Sequence, residues 1–243
     1  MAGFSVELGR SQPTVSWAGD RFLRIEFAGT GDEALFRVHA AHRRLIEACV
    51  QGVVDITPAY ATLLVTLDIG VCNDETARRV EAAVCADTSS VSQSVGRVLE
   101  VPVCFGGSHG PDLVELAQAR GLTSEEVVQA YCAAEYRVAF IGFTPGFAYI
   151  RGLPEHLSTP RLSSPRARVP AGSVGIAGVQ TGVYPGGTPG GWRLVGRTPR
   201  RVFDASREPA GLFVAGDRVR FTPISAAEFE RLCEHVDRRE GGL

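Results

Sequence analysis

"RVPAGSVGIAGVQTGVYPGGTPGGWRLVG", residues 168–196, decides the fold. Its apolar runs are short, and glycine or proline interrupts them every few residues. The runs on either side read the same way: "YRVAFIGF" from Tyr136 and "RVRFTP" from Arg218. Short strands with frequent turns suggest a small barrel. Within the stretch, "YPGGTPGGW" (184–192) is unusual: four glycines and two prolines end in one of the chain's two tryptophans. A phosphate-cradling loop of the P-loop kind is excluded there, because it needs a lysine to reach the phosphates. All 25 of the chain's Lys+Arg residues are arginine.

Working back towards the start, the pattern changes. "RFLRIEFA" (21–28) alternates as a strand, and "ALFRVHAAHRRLIEACV" (34–50) places apolar residues at 35, 38, 45, 46 and 49 with helical spacing. "VVDITPAYATLLVTLD" (53–68) reads as two strands around a turn at Pro58, and Asn73 can cap a helix running through Ala86. The Ser-rich "DTSSVSQS" (87–94) looks like a linker. These features predict a small α+β domain over 1–95 and a mainly-β barrel domain over 96–243. The barrel domain opens with a strand in "GRVLEVPVCF" (96–105). It also carries a short helix over 111–120, a helix opened by a Thr123/Glu126 capping box, and a last helix from Ser225 to about Arg238.

Composition narrows the function. At 243 residues with 44% hydrophobic and 21% charged side chains, the chain supports a packed core. A net charge of −2 gives no reason to expect nucleic acid as a partner. No apolar run is long enough to span a bilayer, and "MAGFSVELGR" lacks the features of a secretory signal, so a cytoplasmic location is expected. The six cysteines form no C-x-x-C pair, and Cys49, Cys85 and Cys132 are expected as buried free thiols in helix-like patterns. The five histidines show no metal-ligand spacing, so no metal site is expected, and His39 and His42 are read as surface residues. The missing lysines exclude Schiff-base chemistry from this chain.

Three segments draw attention as sites. "GGSHG" (106–110) matches the G-x-S-x-G nucleophile elbow, but Gly110 and Pro111 separate Ser108 from the helix that follows. A plain strand-to-helix turn is the preferred reading. "GFTPGF" (142–147) sets two phenylalanines around a turn, at least one of them expected in a core. "TPRLSSPRARVPAGS" (159–173) puts Arg161, Arg166 and Arg168 within eight residues, stiffened by Pro160, Pro165 and Pro170. Proline lowers the entropy lost in holding a neighbouring guanidinium, and the guanidinium fork suits phosphate or carboxylate. The alternative is a solvated Arg-rich loop.

These segments together resemble one family: the B subunit of the bacterial ATP-dependent 5-oxoprolinase, also known as allophanate hydrolase subunit 1 and as the sporulation-kinase inhibitor KipI. The likeness runs from about Pro13 to Ile224, and the stretch from Thr159 to Pro199 is its most specific part. The resemblance implies a cyclophilin-like barrel after the α+β domain. It also implies ATP, with magnesium, bound in a complex with two partners: the C subunit, which has a related barrel, and the A subunit. That complex opens 5-oxoproline to glutamate. The alternatives within the resemblance are an inhibitor of a sporulation histidine kinase and a carboxyltransferase-like component acting on urea or allophanate.

Arg161, Arg166 and Arg168 are the expected catalytic residues. The expected binding residues begin with Gly142, Phe143, Pro145 and Gly146 of "GFTPGF", then Tyr149. Pro170, Gly172, Ser173 and Gln180 follow, and "YPGGTPGGW" contributes Tyr184, Thr188, Gly190, Gly191 and Trp192. Family members often have a histidine where this chain has Tyr131, and commonly a serine where it has Thr188.

Overall fold

The structure is a computed structural model that describes residues 12–29, 31–86 and 97–240, with side chains as far as residue 234. The 87–94 segment read as a linker lies outside the described residues. The chain divides into two compact units, Met1–Ser94 and Val95–Leu243.

The first unit is a four-stranded antiparallel sheet with two helices on one face. In chain order it runs β1 (Thr14–Trp17), β2 (Phe22–Glu26), α1 (Gly31–Ala48), β3 (Val53–Pro58), β4 (Thr62–Leu67) and α2 (Asp74–Cys85). The sheet order is β1-β2-β4-β3. Period-2 alternation sends Leu23 and Ile25 of β2, and Leu63, Val65 and Leu67 of β4, to the helix side. There they meet Val38 and Leu45 of α1 and Val80 and Val84 of α2. Asn73 caps α2 as expected, accepting from the Thr76 N–H at 2.9 Å. Arg44 donates to the Val84 carbonyl at 2.7 Å and so covers an orphan acceptor at the other end of α2.

Two expectations are corrected in this unit. His39 is buried, not a surface residue, because it lies four residues after Leu35 on the face α1 turns to the sheet. His42 is half-buried, and that burial lowers its pKa below the usual histidine value. Cys49 is exposed, not buried: α1 ends at Ala48, and Cys49 follows at a φ of 45°. Cys85 is half-buried, as is Cys132 in the second unit. The four-residue β1 is too short to show a period in the sequence.

The second unit is a closed seven-stranded barrel. Its elements are β5 (Val98–Phe105), α3 (Leu113–Ala119), α4 (Ser124–Ala133), β6 (Tyr136–Ile141), β7 (Ala148–Arg151), β8 (Arg166–Val169), β9 (Ser173–Ala177), β10 (Gln180–Val183), β11 (Thr188–Gly190), β12 (Arg193–Arg197), β13 (Arg218–Pro223) and α5 (Ala226–Glu240). The barrel closes in the order β10-β7-β6-β13-β5-β12-β9, and β8 pairs with β11 as a separate two-stranded flap. The first and last barrel strands, β5 and β13, run parallel from Val98↔Arg218 to Val103↔Pro223; the other barrel pairs are antiparallel.

Tyr131 of α4 lies in the barrel core and is wholly buried. It packs on Phe105, Tyr136 and Phe221 with ring centroids 5.1–5.6 Å apart. Its hydroxyl lies 2.6 Å from Thr181 Oγ1, which donates to the Gly175 carbonyl at 2.9 Å. The Thr123/Glu126 capping box that starts α4 is present in both directions. At "GGSHG" the Gly106 N–H bonds the Val195 carbonyl at 3.0 Å, and α3 begins only at Leu113. Ser108 is exposed and outside the helix, so the elbow geometry is not formed.

Candidate functional site

One side of the barrel carries a second, smaller core of aromatic rings. Phe147, Tyr184 and Trp192 are its buried members, with Val169, Ala177 and Leu194 around them. Phe147 meets Tyr184 and Trp192 edge to face at 5.1 and 5.4 Å, and Tyr149 meets Trp192 at 5.8 Å. Such pairs contribute roughly 0.5–1.5 kcal/mol each beyond the area they bury, so this floor is stiff. Above it lies a cleft of about 220 Å³ lined by Phe143, Phe147, Tyr149, Arg161, Pro165, Tyr184, Pro189, Gly190, Gly191 and Trp192.

The bare backbone of "YPGGTPGGW" has a steric cause at one of its glycines, Gly190. Gly190 lies against the Tyr184 ring, where an added β-carbon would come within 2.5 Å of the hydroxyl oxygen. Gly187 lies against the Arg168 guanidinium, with an added β-carbon only 2.8 Å from Nε. A side chain at Gly190 would collide with the buried Tyr184 ring and push the β8–β11 flap off the aromatic floor, whereas at Gly187 the exposed Arg168 side chain can move aside.

The three arginines are treated differently by the fold. Arg166 donates from Nη2 to Asp112 Oδ1 at 2.7 Å, and Asp112 Oδ2 accepts from the Leu194 N–H at the same distance. Asp112 is buried, so this pair pins the flap to β12. Arg168 is exposed, packed on Gly187, and does not line the cleft. Arg161 does line it, with its guanidinium carbon 5.9 Å from the centre of the Trp192 ring. The segment bearing Arg161 is tied on both sides. Thr159 and Gly178 exchange backbone hydrogen bonds, and the Leu162 N–H donates to the Gly191 carbonyl at 2.7 Å. Burial raises the Tyr184 phenol pKa; a hydrogen bond from the Trp192 backbone and the charges of Arg161 and Arg166 act against it.

Of the residues expected from sequence, the cleft gathers Phe143, Tyr149, Arg161, Tyr184, Gly190, Gly191 and Trp192. The rest stand elsewhere. Gly146 and Gly172 hold turns at φ of 83° and 81°, Gly142 and Pro145 belong to the turn between β6 and β7, and Pro170 accepts from the Ser173 N–H. Ser173 is buried in β9, Gln180 starts β10, and Thr188 starts β11, its hydroxyl buried without a hydrogen-bond partner. Sequence reasoning missed Phe147, Pro165 and Pro189, which also line the cleft. Phe147 is the buried phenylalanine of "GFTPGF", and Phe143, 64% exposed at a φ of 67°, is the outward one.

The fold and this cleft belong to a chain that matches the family described as carboxyltransferase domain, subdomain C and D, over residues 13–213. The 5-oxoprolinase B subunit of Bacillus subtilis (strain 168) is 39% identical over 227 residues, covering 89% of this chain and 95% of the relative. That of Escherichia coli O157:H7 is 50% identical over 137 residues, 56% of this chain and 63% of the relative. Among solved structures, TTHA0988 superposes with a TM-score of 0.75 at 36% identity, covering 85% of this chain; the chain spans 40% of that protein's length. The chain belongs to the 5-oxoprolinase B-subunit family within the carboxyltransferase C and D class.

Proposed function

We propose that this chain is the B subunit of an ATP-dependent 5-oxoprolinase, acting with homologues of the C and A subunits to convert 5-oxoproline, ATP and water into glutamate, ADP and phosphate. One observation carries the reading: the chain is 39% identical to the Bacillus subtilis 5-oxoprolinase B subunit over 95% of that protein. The chemistry agrees with it. Amide resonance deactivates a five-membered lactam towards water, and ATP overcomes this by making the lactam oxygen a leaving group. Phosphoryl transfer of that kind depends mostly on positioning and charge stabilisation, and a cleft with an aromatic floor and the Arg161 guanidinium is suited to positioning the lactam.

The chain has no lysine, and among the described residues no group of three or more His, Cys, Asp or Glu could hold a metal ion. We infer that the nucleotide, with its magnesium, is bound mainly in the assembled complex. No described helix is long and apolar enough to cross a membrane, and a complex that depends on ATP is expected in the cytoplasm.

The test is reconstitution. The chain alone should release no phosphate from ATP, and the chain combined with its A-type and C-type partners should form glutamate from 5-oxoproline only when ATP is present. ATP hydrolysis by the pure chain, or a complete complex that turns over urea but not 5-oxoproline, would refute the proposal.

A further inference from the structure

The three arginines read together from sequence are not equivalent in the fold, and the difference says what the cleft binds. Asp112 neutralises Arg166, and Arg168 lies outside the cleft. Arg161 is exposed and lines the cleft, and among the described residues no carboxylate pairs with it. Its guanidinium carbon lies 5.9 Å from the centre of the Trp192 ring, and the planar fork of a guanidinium can form paired hydrogen bonds with an anion. The cleft thus offers one uncompensated positive charge beside flat aromatic walls. Nucleotide phosphates carry several negative charges and are bound by clusters of cations or a magnesium ion; one guanidinium matches one carboxylate. The volume of about 220 Å³ is small against the roughly 300–1,000 Å³ of pockets for drug-sized ligands.

We propose that Arg161 is the specificity-determining residue of this cleft: it binds the carboxylate of a small ring-shaped monoacid whose ring lies among Tyr149, Tyr184 and Trp192, so that the cleft takes the organic substrate and not the nucleotide phosphates. This rests on the functional reading above and adds which partner of the reaction this subunit holds.

The test uses the reconstituted complex of all three subunits, with wild-type chain, Arg161→Gln and Arg161→Lys. Arg161 is exposed, so both variants should fold and assemble. Three quantities are measured: the KM for 5-oxoproline, the KM for ATP, and the Ki of 2-pyrrolidinone, the same lactam without its carboxylate, as a competitor of 5-oxoproline. Arg161→Gln should raise the KM for 5-oxoproline about ten- to a hundredfold, the size expected for a charge-assisted hydrogen-bonded pair. It should leave the KM for ATP and the Ki of 2-pyrrolidinone within about twofold. Arg161→Lys should fall between wild type and Arg161→Gln, because it keeps the charge and loses the fork. A rise in the KM for ATP with that for 5-oxoproline unchanged would mean that Arg161 binds phosphate. Equal weakening of 5-oxoproline and 2-pyrrolidinone would mean that it only shapes the cleft. No change in any of the three would make it a bystander. Each of these three results overturns the inference and leaves the functional reading standing, whereas a wild-type complex that makes no glutamate from 5-oxoproline overturns both.

Discussion

The resemblance sets a histidine where this chain has Tyr131, which raises the question whether Tyr131 acts in the chemistry. The surroundings answer it. Tyr131 is wholly buried among Phe105, Tyr136 and Phe221, and its hydroxyl bonds Thr181, inside the barrel and not in the aromatic–arginine cleft. Burial raises its phenol pKa far above the usual tyrosine value, so it stays protonated at any physiological pH. Tyr131→Phe should therefore cost about 1 kcal/mol of stability, the net value of one hydrogen bond, because Thr181 keeps its bond to Gly175. Turnover of the assembled complex should change less than about twofold. Chemical denaturation of the variant and its kcat are the two measurements; a large loss of kcat with stability intact would place the hydroxyl in the chemistry after all.

Among the elements, the β8–β11 flap bears most directly on the cleft. Its two strands are four and three residues long, a glycine or proline stands at two of the three positions of β11, and it pairs with no barrel strand. So short a ribbon is marginal in water by itself. Three ties hold it in place: Asp112 through Arg166, Val169 in the aromatic core, and Gly190 against Tyr184. Removing Asp112 leaves Arg166 without its counter-charge and strands the buried Leu194 N–H. Asp112→Ala should cost about 3 kcal/mol, the low end for breaking a buried ion pair, because 30% of the Arg166 side-chain surface remains in water. Asp112→Asn should cost less, since its amide keeps one acceptor oxygen. Denaturant midpoints for the two variants would check the order.

At the scale of the whole molecule, the cleft is open and its rim bears an exposed phenylalanine. Phe143 leaves 64% of its surface in water at a φ of 67°, a conformation that costs a non-glycine residue about 1–2 kcal/mol. An aromatic held outward at that cost resembles the anchors found at the centres of protein interfaces. The expected outcome is that this chain and its C-type partner, expressed together, elute as one species in size-exclusion chromatography at micromolar concentration. Two separate peaks would count against a site completed by a partner.

Local physical chemistry was enough for much of this protein. The alternation in 21–28, the helical spacing in 34–50, the Asn73 cap and the Thr123/Glu126 box each depend on residues a few positions apart, so all could be read in order along the chain. The turn-rich stretch after Tyr136 announced a barrel for the same reason. What could not be read is whatever depends on contacts across long separations. The pairing of β5 with β13 joins residues 120 apart, as in Val98 with Arg218. The neutralisation of Arg166 depends on Asp112, 54 residues away in the chain. Sequence placed Arg161, Arg166 and Arg168 side by side as equals. Only the fold separated the one that lines the cleft from the one paired to a buried carboxylate and the one packed outside, because charge compensation and burial are set by neighbours in space.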